Sequence, residues 1–293
     1  MTIFRPANEA ELPSVFEVFY QNELLNNPDF SLPSDIPPYL SHVLQTGRLY
    51  VAEEDGRILA FAGAITRGNV SFLTDLFVLP SSQSGKLGKA LLQTVLPQDN
   101  LIHCTLSSSD PRALALYIRA GMRPSWPHFA LRLDRPTHAW SLAPQMEIIE
   151  ADASDPALLR WDVRVSGRAR PQDLQIWVRE ERAVPLWFRR QGQIAGYGYV
   201  RFGAEEQSNP QACKLGPMGA DTPDDATTCV LAGIHWAMQR AVEIHIDVPG
   251  PHPCLAILLE RGFHIHSFDT FVSSADTPFF DAKCYIASGG DLF

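Results

Sequence analysis

Phe72-Leu73-Thr74-Asp75-Leu76-Phe77-Val78-Leu79-Pro80-Ser81-Ser82-Gln83-Ser84-Gly85-Lys86-Leu87-Gly88-Lys89-Ala90-Leu91-Leu92 reads as a strand that passes through a glycine-containing turn into a helix. The start of a helix points unpaired backbone N–H groups and the positive end of its dipole outward. A turn of small residues placed there can hold an anion without side-chain charge. Ser84, Gly85 and Gly88 keep this turn low, so the stretch has the make-up of a phosphate cradle. The plainer reading is an ordinary connection, because short Gly/Ser turns routinely join strands to helices. The rest of the chain decides between the two.

The chain repeats itself. Arg48 to Ala64 reads as strand, tight turn and strand, and Leu186 to Val200 reads the same way, with Gly56 matching Gly192 and Ile58 matching Ile194. Ala113 to Met122 is echoed by Cys254 to Phe263, both short helices closed by a glycine. The openings correspond too, Thr2 to Ala7 with Glu147 to Asp152. Two copies of one fold explain these echoes. Asp134 to Pro144 is proline-bounded and aperiodic, as a linker is. The division is therefore 1–136, a linker at 137–145, and 146–293. Each half reads as strand, two helices, three strands, helix, strand, helix and a final pair of strands, an α/β pattern with a mixed central sheet flanked by helices.

At 293 residues there is room for two such domains, each with its own core. No apolar run approaches the ~20 residues of a membrane span. The first residues carry neither a basic leader nor an apolar export segment, which places the protein in the cytoplasm. Five scattered cysteines, Cys104, Cys213, Cys229, Cys254 and Cys284, speak against disulfides and against a zinc site. The net charge of −9 argues against nucleic-acid binding and leans toward a cationic or neutral substrate.

The order of elements, the run Asp75-Leu76-Phe77-Val78 into Gln83 to Gly88, and the helix from Asp110 to Gly121 resemble the GNAT superfamily of acyl-CoA-dependent N-acyltransferases, here as a tandem pair covering nearly the whole chain. The family's loop carries Arg or Gln, two residues, Gly, one residue, then Gly or Ala. Gln83 and Gly88 fit, whereas Lys86 stands where the middle glycine belongs. The resemblance implies that acetyl-CoA is the cosubstrate and that Phe77, Val78, Leu79, Gln83, Ser84, Gly85, Lys86, Leu87, Gly88, Lys89 and Ser109 line its site. It makes Tyr117 the acid for the leaving thiolate, and Asp75 the group that holds or deprotonates the acceptor amine.

These assignments meet the chemistry. Acyl transfer to an amine needs a neutral amine, a donor to the carbonyl oxygen and an acid for the sulfur. A phenol with pKa ~10 stays protonated at neutral pH until positioned beside a thiolate. Tyr117 also fits a packed aromatic, since Ala113, Leu116, Tyr117 and Ala120 share one helix face. Asp110-Pro111 reads as a helix cap rather than a catalytic pair. Glu17, Glu23, Asp29 and Asp35 are further acids in the first two helices, where the family builds acceptor specificity. No Cys or Ser is paired with a base, which favours direct attack in a ternary complex.

The second half carries the fold without the chemistry. Its fourth strand, Ala212 to Ala220, runs into Asp221, Asp224 and Asp225, which repel a pyrophosphate, and Leu258 stands where the first half has Tyr117. Arg164, Arg168 and Arg170 form either a grip for a carboxylate or phosphate, or a solvated turn paired with Asp162 and Asp173. His245, His252, His264 and His266 have no partner at metal-ligand spacing. The reading is an acetyl-CoA-dependent N-acetyltransferase acting on a small amine or peptide amine, with no metal, nucleic-acid or membrane partner, as a monomer or weak dimer. Its alternatives are a non-catalytic module that senses CoA or a small ligand, and an acyltransferase whose site lies in the second half or between the halves.

Overall fold

The computed structural model describes residues 1–26, 36–83, 86–97, 100–134, 146–203, 209, 211–290 and 292–293. The linker assigned to 137–145 lies outside them. Packing divides the chain into two compact units, Met1–Thr105 with Leu292, and Leu106–Asp291 with Phe293. This cut follows shared cores rather than the repeat, so the last helix and strand of the first repeat pack within the second unit.

The first unit contains β1 (Ile3–Pro6), α1 (Leu12–Asn26), α2 (Pro38–Thr46), β2 (Arg48–Glu54), β3 (Arg57–Arg67), β4 (Val70–Val78), α3 (Leu87–Val95) and the start of β5 (Ile102–Ser107). Its strands lie in the order β1-β2-β3-β4-β5, antiparallel except for the β4–β5 pair. Asp55 and Gly56 both take positive φ, 50° and 79°, which is the tight hairpin turn expected between β2 and β3. Phe61, Ala62 and Ile65 bury the middle of β3. Leu12, Val15 and Phe16 of α1 and Leu87, Leu91, Leu92 and Val95 of α3 are buried at helical spacing.

The second unit contains α4 (Pro111–Arg119), β6 (Arg123–Asp134), β7 (Met146–Glu150), α5 (Pro156–Ser166), α6 (Pro171–Glu180), β8 (Val184–Arg190), β9 (Gln193–Arg201), β10 (Ala212–Ala220), α7 (Pro223–Ala237), β11 (Glu243–Pro249), α8 (Cys254–Glu260), β12 (His264–Ser273) and the short β13 (Tyr285–Ile286). The order is β12-β6-β11-β10-β9-β8-β7, with β13 added to β10. Gln191 and Gly192 repeat the paired positive φ, 51° and 79°, between β8 and β9. The first half was expected to end in two strands. Among the described residues it ends in one, β6, whose two edges are taken by β11 and β12, both antiparallel. Leu131 and Leu133 of β6 thereby join the second unit's core with Ile244, Ile246 and Leu258.

One face of this sheet is polar and sealed. Arg170 pairs with Asp162 at 2.6 Å, Arg201 with Glu181 at 2.7 Å and Lys214 with Asp247 at 2.9 Å, all buried. A buried charge persists when it is paired and hydrogen-bonded. His128 and His252 take the other route and fold neutral. Burial, helped by Lys214, holds His128 down at about 3, and burial holds His252 down at about 4. Among the described residues, neither ring nitrogen of His128 has a hydrogen-bond partner.

Both histidines take up a proton near pH 6.5 in the unfolded chain and only well below that in the fold. The unfolded state therefore binds more protons below pH 6.5, and stability falls as pH falls toward 4, by about 1.4 kcal/mol per pH unit for each histidine. Urea unfolding at a series of pH values should show this slope. His128→Phe should reduce it by about one proton's worth, and an unchanged slope would mean His128 is not buried in the neutral form.

Candidate active site

The parallel ladder between β4 and β5 pairs only Val70–Phe72 with Ile102–Cys104. The Thr105 hydroxyl then donates to the Leu73 carbonyl at 2.8 Å, and among the described residues no strand pairs with β4 beyond that point on the side away from β3. Toward β3 the register shifts, with Ala64 opposite Leu73 and Gly63 opposite Asp75, so Thr74 is the extra residue of a β-bulge. A bulge bends its strand and re-aims the side chains that follow. After it, the Leu79 N–H is used on the Leu59 carbonyl at 2.8 Å. Alternation along the strand then turns the N–H groups of Leu76 and Val78 to the open side. Of the expected backbone positions Phe77, Val78 and Leu79, Val78 is the one that presents a donor there.

Lys86 is the N-cap residue of α3, at φ 62° and ψ 8°, and among the described residues no side chain caps the first N–H groups of the helix. The first turn contains no acid, and its charged residues are Lys86 and Lys89, the opposite of what a helix dipole favours. Such an end is suited to an anion from outside. Leu87 is buried and anchors the helix, whereas Lys86 and Lys89 are exposed. Ser84 and Gly85 lie outside the described residues. Gln83 turns its amide toward the Asn22 side chain at 3.3 Å and the Val78 carbonyl at 3.4 Å. Asn22 of α1 also donates to that carbonyl at 3.1 Å, so α1, the end of β4 and the turn are tied together. Sequence reading passed over Asn22, because its partners are distant in the chain.

Asp75 is 5% exposed, and both its carboxylate oxygens accept hydroxyl hydrogen bonds, from Tyr39 at 2.8 Å and from Thr74 at 2.7 Å. Glu17 is exposed and accepts from Gln21 at 2.7 Å. Both border a cavity of about 630 Å³ that Leu79 also lines. Glu23 is half-buried, and burial pushes its carboxyl above the usual range. Asp29 and Asp35 lie outside the described residues. In the second unit, Tyr117 is buried on α4. Asp110 caps that helix by accepting from the Arg112 N–H at 2.8 Å, and Ser109 is exposed just before it. Gly121 closes the helix at φ 99°, as Gly262 closes α8 at φ 97°.

The second repeat's counterpart of the cradle is closed from within. Thr222 caps α7 by accepting from the Asp225 N–H, and Asp224 and Asp225 occupy its first turn. Asp225 also pairs with Arg190 at 2.6 Å. The parallel ladder from β10 to β11 ends at Leu215–Ile246. The released edge of β10 is then taken by β13, with Met218 opposite Ile286 and Gly219 opposite Tyr285, while the Ala220 N–H donates to the Cys284 carbonyl at 3.0 Å. A Cβ on Gly216 would lie 2.4 Å from the Ala287 carbonyl oxygen, so the tail packs against bare backbone.

Arg168 and Arg170 both donate to the Phe293 carbonyl, and Arg170 also reaches the Tyr285 hydroxyl at 2.5 Å. The arginine group is thus neither a solvated turn nor an open anion grip. Only Arg164 is exposed, paired with Asp221 at 2.9 Å. All five cysteines are buried free thiols, and burial pushes Cys213 and Cys284 up to about 12. Among the described residues no group of three or more His, Cys, Asp or Glu could hold a metal ion.

Residues 45–123 and residues 158–268 each match a family model described as an acetyltransferase (GNAT) domain. A Pyrococcus horikoshii protein assigned to the acetyltransferases has a similar fold, with a TM-score of 0.75 at 16% identity over 100% of this chain and 96% of that one. A tandem GNAT protein from the clavulanic acid biosynthesis pathway gives 0.64 at 15% identity over 95% and 99%. A GCN5-related N-acetyltransferase from Sphaerobacter thermophilus gives 0.62 at 14% over 96% and 97%. No curated protein matches the chain.

Lys86 holds a left-handed conformation that costs a residue with a Cβ about 1 kcal/mol. Lys86→Gly should therefore raise stability by roughly that amount. The measurement is the urea midpoint at unchanged m-value, and a lower midpoint would mean that the lysine side chain stabilises the fold by more than its backbone strain costs.

Proposed function

We propose, since the chain belongs to the GNAT acetyltransferase family as a tandem pair of its domains, that it is an acetyl-CoA-dependent N-acetyltransferase acting on a small amine or peptide amine, with its working site in the first domain. The observation that carries this reading is the contrast between the two helix starts. That of α3 is, among the described residues, uncapped, and its first turn is free of acids and flanked by Lys86 and Lys89, whereas that of α7 is capped by Thr222 and neutralised by its own aspartates. Among the described residues no strand pairs with the edge released beside β4, and the one released beside β10 is filled by β13. One cofactor site per chain follows.

Acetyl-CoA supplies an acyl thioester, and the chain's residues do the rest. The N–H groups of Leu87, Gly88 and Lys89, with the charges of Lys86 and Lys89, would hold the pyrophosphate. Gln83 braces the turn through Asn22, and Ser109 is proposed for the pantetheine arm. The Val78 N–H is the donor for the carbonyl oxygen, a role worth about 3 kcal/mol where such a donor has been removed. Tyr117 is proposed, from its family position, to hold the proton for the departing sulfur. Asp75, with both oxygens engaged, is proposed to fix the bulge and the start of α2 at the acceptor end. Buried thiols held protonated support direct attack by the amine without a covalent enzyme intermediate.

Calorimetric titration with acetyl-CoA should give one site, and Gly88→Asp should abolish it by placing a negative charge in the cradle. Two sites, or binding indifferent to Gly88→Asp, would overturn the assignment to the first domain. Tyr117→Phe should bind acetyl-CoA like the parent and acetylate an amine panel roughly 10²-fold or more slowly. Equal turnover would remove Tyr117 from the chemistry, and binding without turnover on any amine would favour a CoA sensor.

A further inference from the structure

Along one face of α1, Leu12 and Phe16 are buried and Phe19 and Glu23 half-buried, spaced four, three and four residues apart. Phe19 packs edge-on to Phe77 of β4 with ring centroids 5.1 Å apart, and Asn22 donates to the Val78 carbonyl at 3.1 Å. Glu23 stands one turn beyond Phe19 and beside Asn22. That places it over the C-terminal end of β4, on the sheet face shared by Phe77 and Asp75. A fourth apolar residue would complete the stripe. Instead a carboxylate is there, half-buried, with no hydrogen bond or ion pair among the described residues.

Nothing structural explains this choice. Glu11 of the same unit is used as a structural acid should be, held by Arg5 at 2.5 Å and by the Asn8 N–H at 2.9 Å. Glu17, on the opposite face of α1, is exposed. Asp75 has both oxygens occupied. Among the described residues Glu23 is therefore the acid at the end of β4 to which nothing donates.

We infer that Glu23 receives the acceptor, holding its ammonium group and taking its proton, and that the acceptors are consequently alkylamines that arrive as cations rather than neutral aryl amines. This rests on the transferase reading above. The transfer breaks one N–H bond of R–NH3⁺ and forms one O–H bond on the carboxylate. The neutral amine keeps its lone pair for attack, and the proton later passes to solvent. Burial alone raises the carboxyl, with no charged neighbour contributing, which makes it a better base than an exposed glutamate and leaves it unpaired until a cation arrives. The net charge of −9 favours the same class of substrate.

The test uses the full chain with ¹³C-labelled glutamate side chains and ethylammonium as the probe. The carboxyl resonance that disappears in Glu23→Gln should titrate above those of the other glutamates, and excess ethylammonium should lower its midpoint. A midpoint within the ordinary range, or one indifferent to ethylammonium, overturns the inference. Glu23→Leu should raise the unfolding midpoint by completing the stripe, and a fall would show the carboxylate to be structural, which also overturns it. Acetyl-CoA titration separates the two levels. Equal binding by the parent and Glu23→Gln is expected, and loss in Glu23→Gln alone would move Glu23 into the cofactor site and sink the inference. No binding by the parent would sink the transferase reading while the Glu23 titration is judged on its own.

Discussion

A parallel strand pair that comes apart after three or four residues is the constraint from which the two repeats diverge. In each repeat the fourth strand is held on one side by its antiparallel neighbour and released on the other, at Phe72 in β4 and at Leu215 in β10. Released backbone N–H and C=O groups must find partners, because leaving them buried and unpaired costs on the order of a hydrogen bond's desolvation each. The second repeat satisfies them from its own chain through β13 and the Ala220–Cys284 bond. In the first, among the described residues, the Leu73 carbonyl is taken by the Thr105 hydroxyl and the Val78 carbonyl by two side-chain amides that also brace the turn below it.

The same division runs through the charges. The buried ion pairs of the second unit are made within it. Arg170 serves Asp162, Tyr285 and Phe293 together, and Arg201 serves Glu181 and Ser288. Its own polar groups and the ring cluster of Phe271, Phe279, Phe280 and Phe293 pack this site from within. A repeat filled in this way retains the fold. The core needs apolar residues at the right period, while the loop chemistry is needed only where a ligand binds.

Local features were legible in the sequence wherever neighbours in the chain decide them. The hairpin turns at Asp55-Gly56 and Gln191-Gly192 need positive φ, and the glycines announce it. Asp110-Pro111 declares a helix start, and Lys86 stood out as a departure because the turn it occupies demands a left-handed residue. What stayed hidden depends on partners far away. An alternating strand such as β6 carries the same pattern whichever strands flank it, so its place between β11 and β12 could not be read. Gln83 meets Asn22 across 61 residues, and Arg170 meets Phe293 across 123. Gly216 lies against the Ala287 carbonyl and Gly219 against the Cys284 carbonyl, neighbours far along the chain.

Glu23 was visible as an acid but not as an exception, because it was read among other acids rather than against the period of its own helix. Two local rules are broken around the end of β4. A lysine occupies a position that favours glycine, and a carboxylate ends an apolar stripe. Among the described residues neither has a partner that would make it structural. Exceptions of this kind persist where function holds them in place, and here one supplies positive charge at a helix start while the other supplies negative charge one helix turn past the aromatic contact with β4. A phosphate-bearing cofactor and a cationic acceptor require opposite charges. A short open strand edge between the two is where an acyl group would have to pass from one to the other.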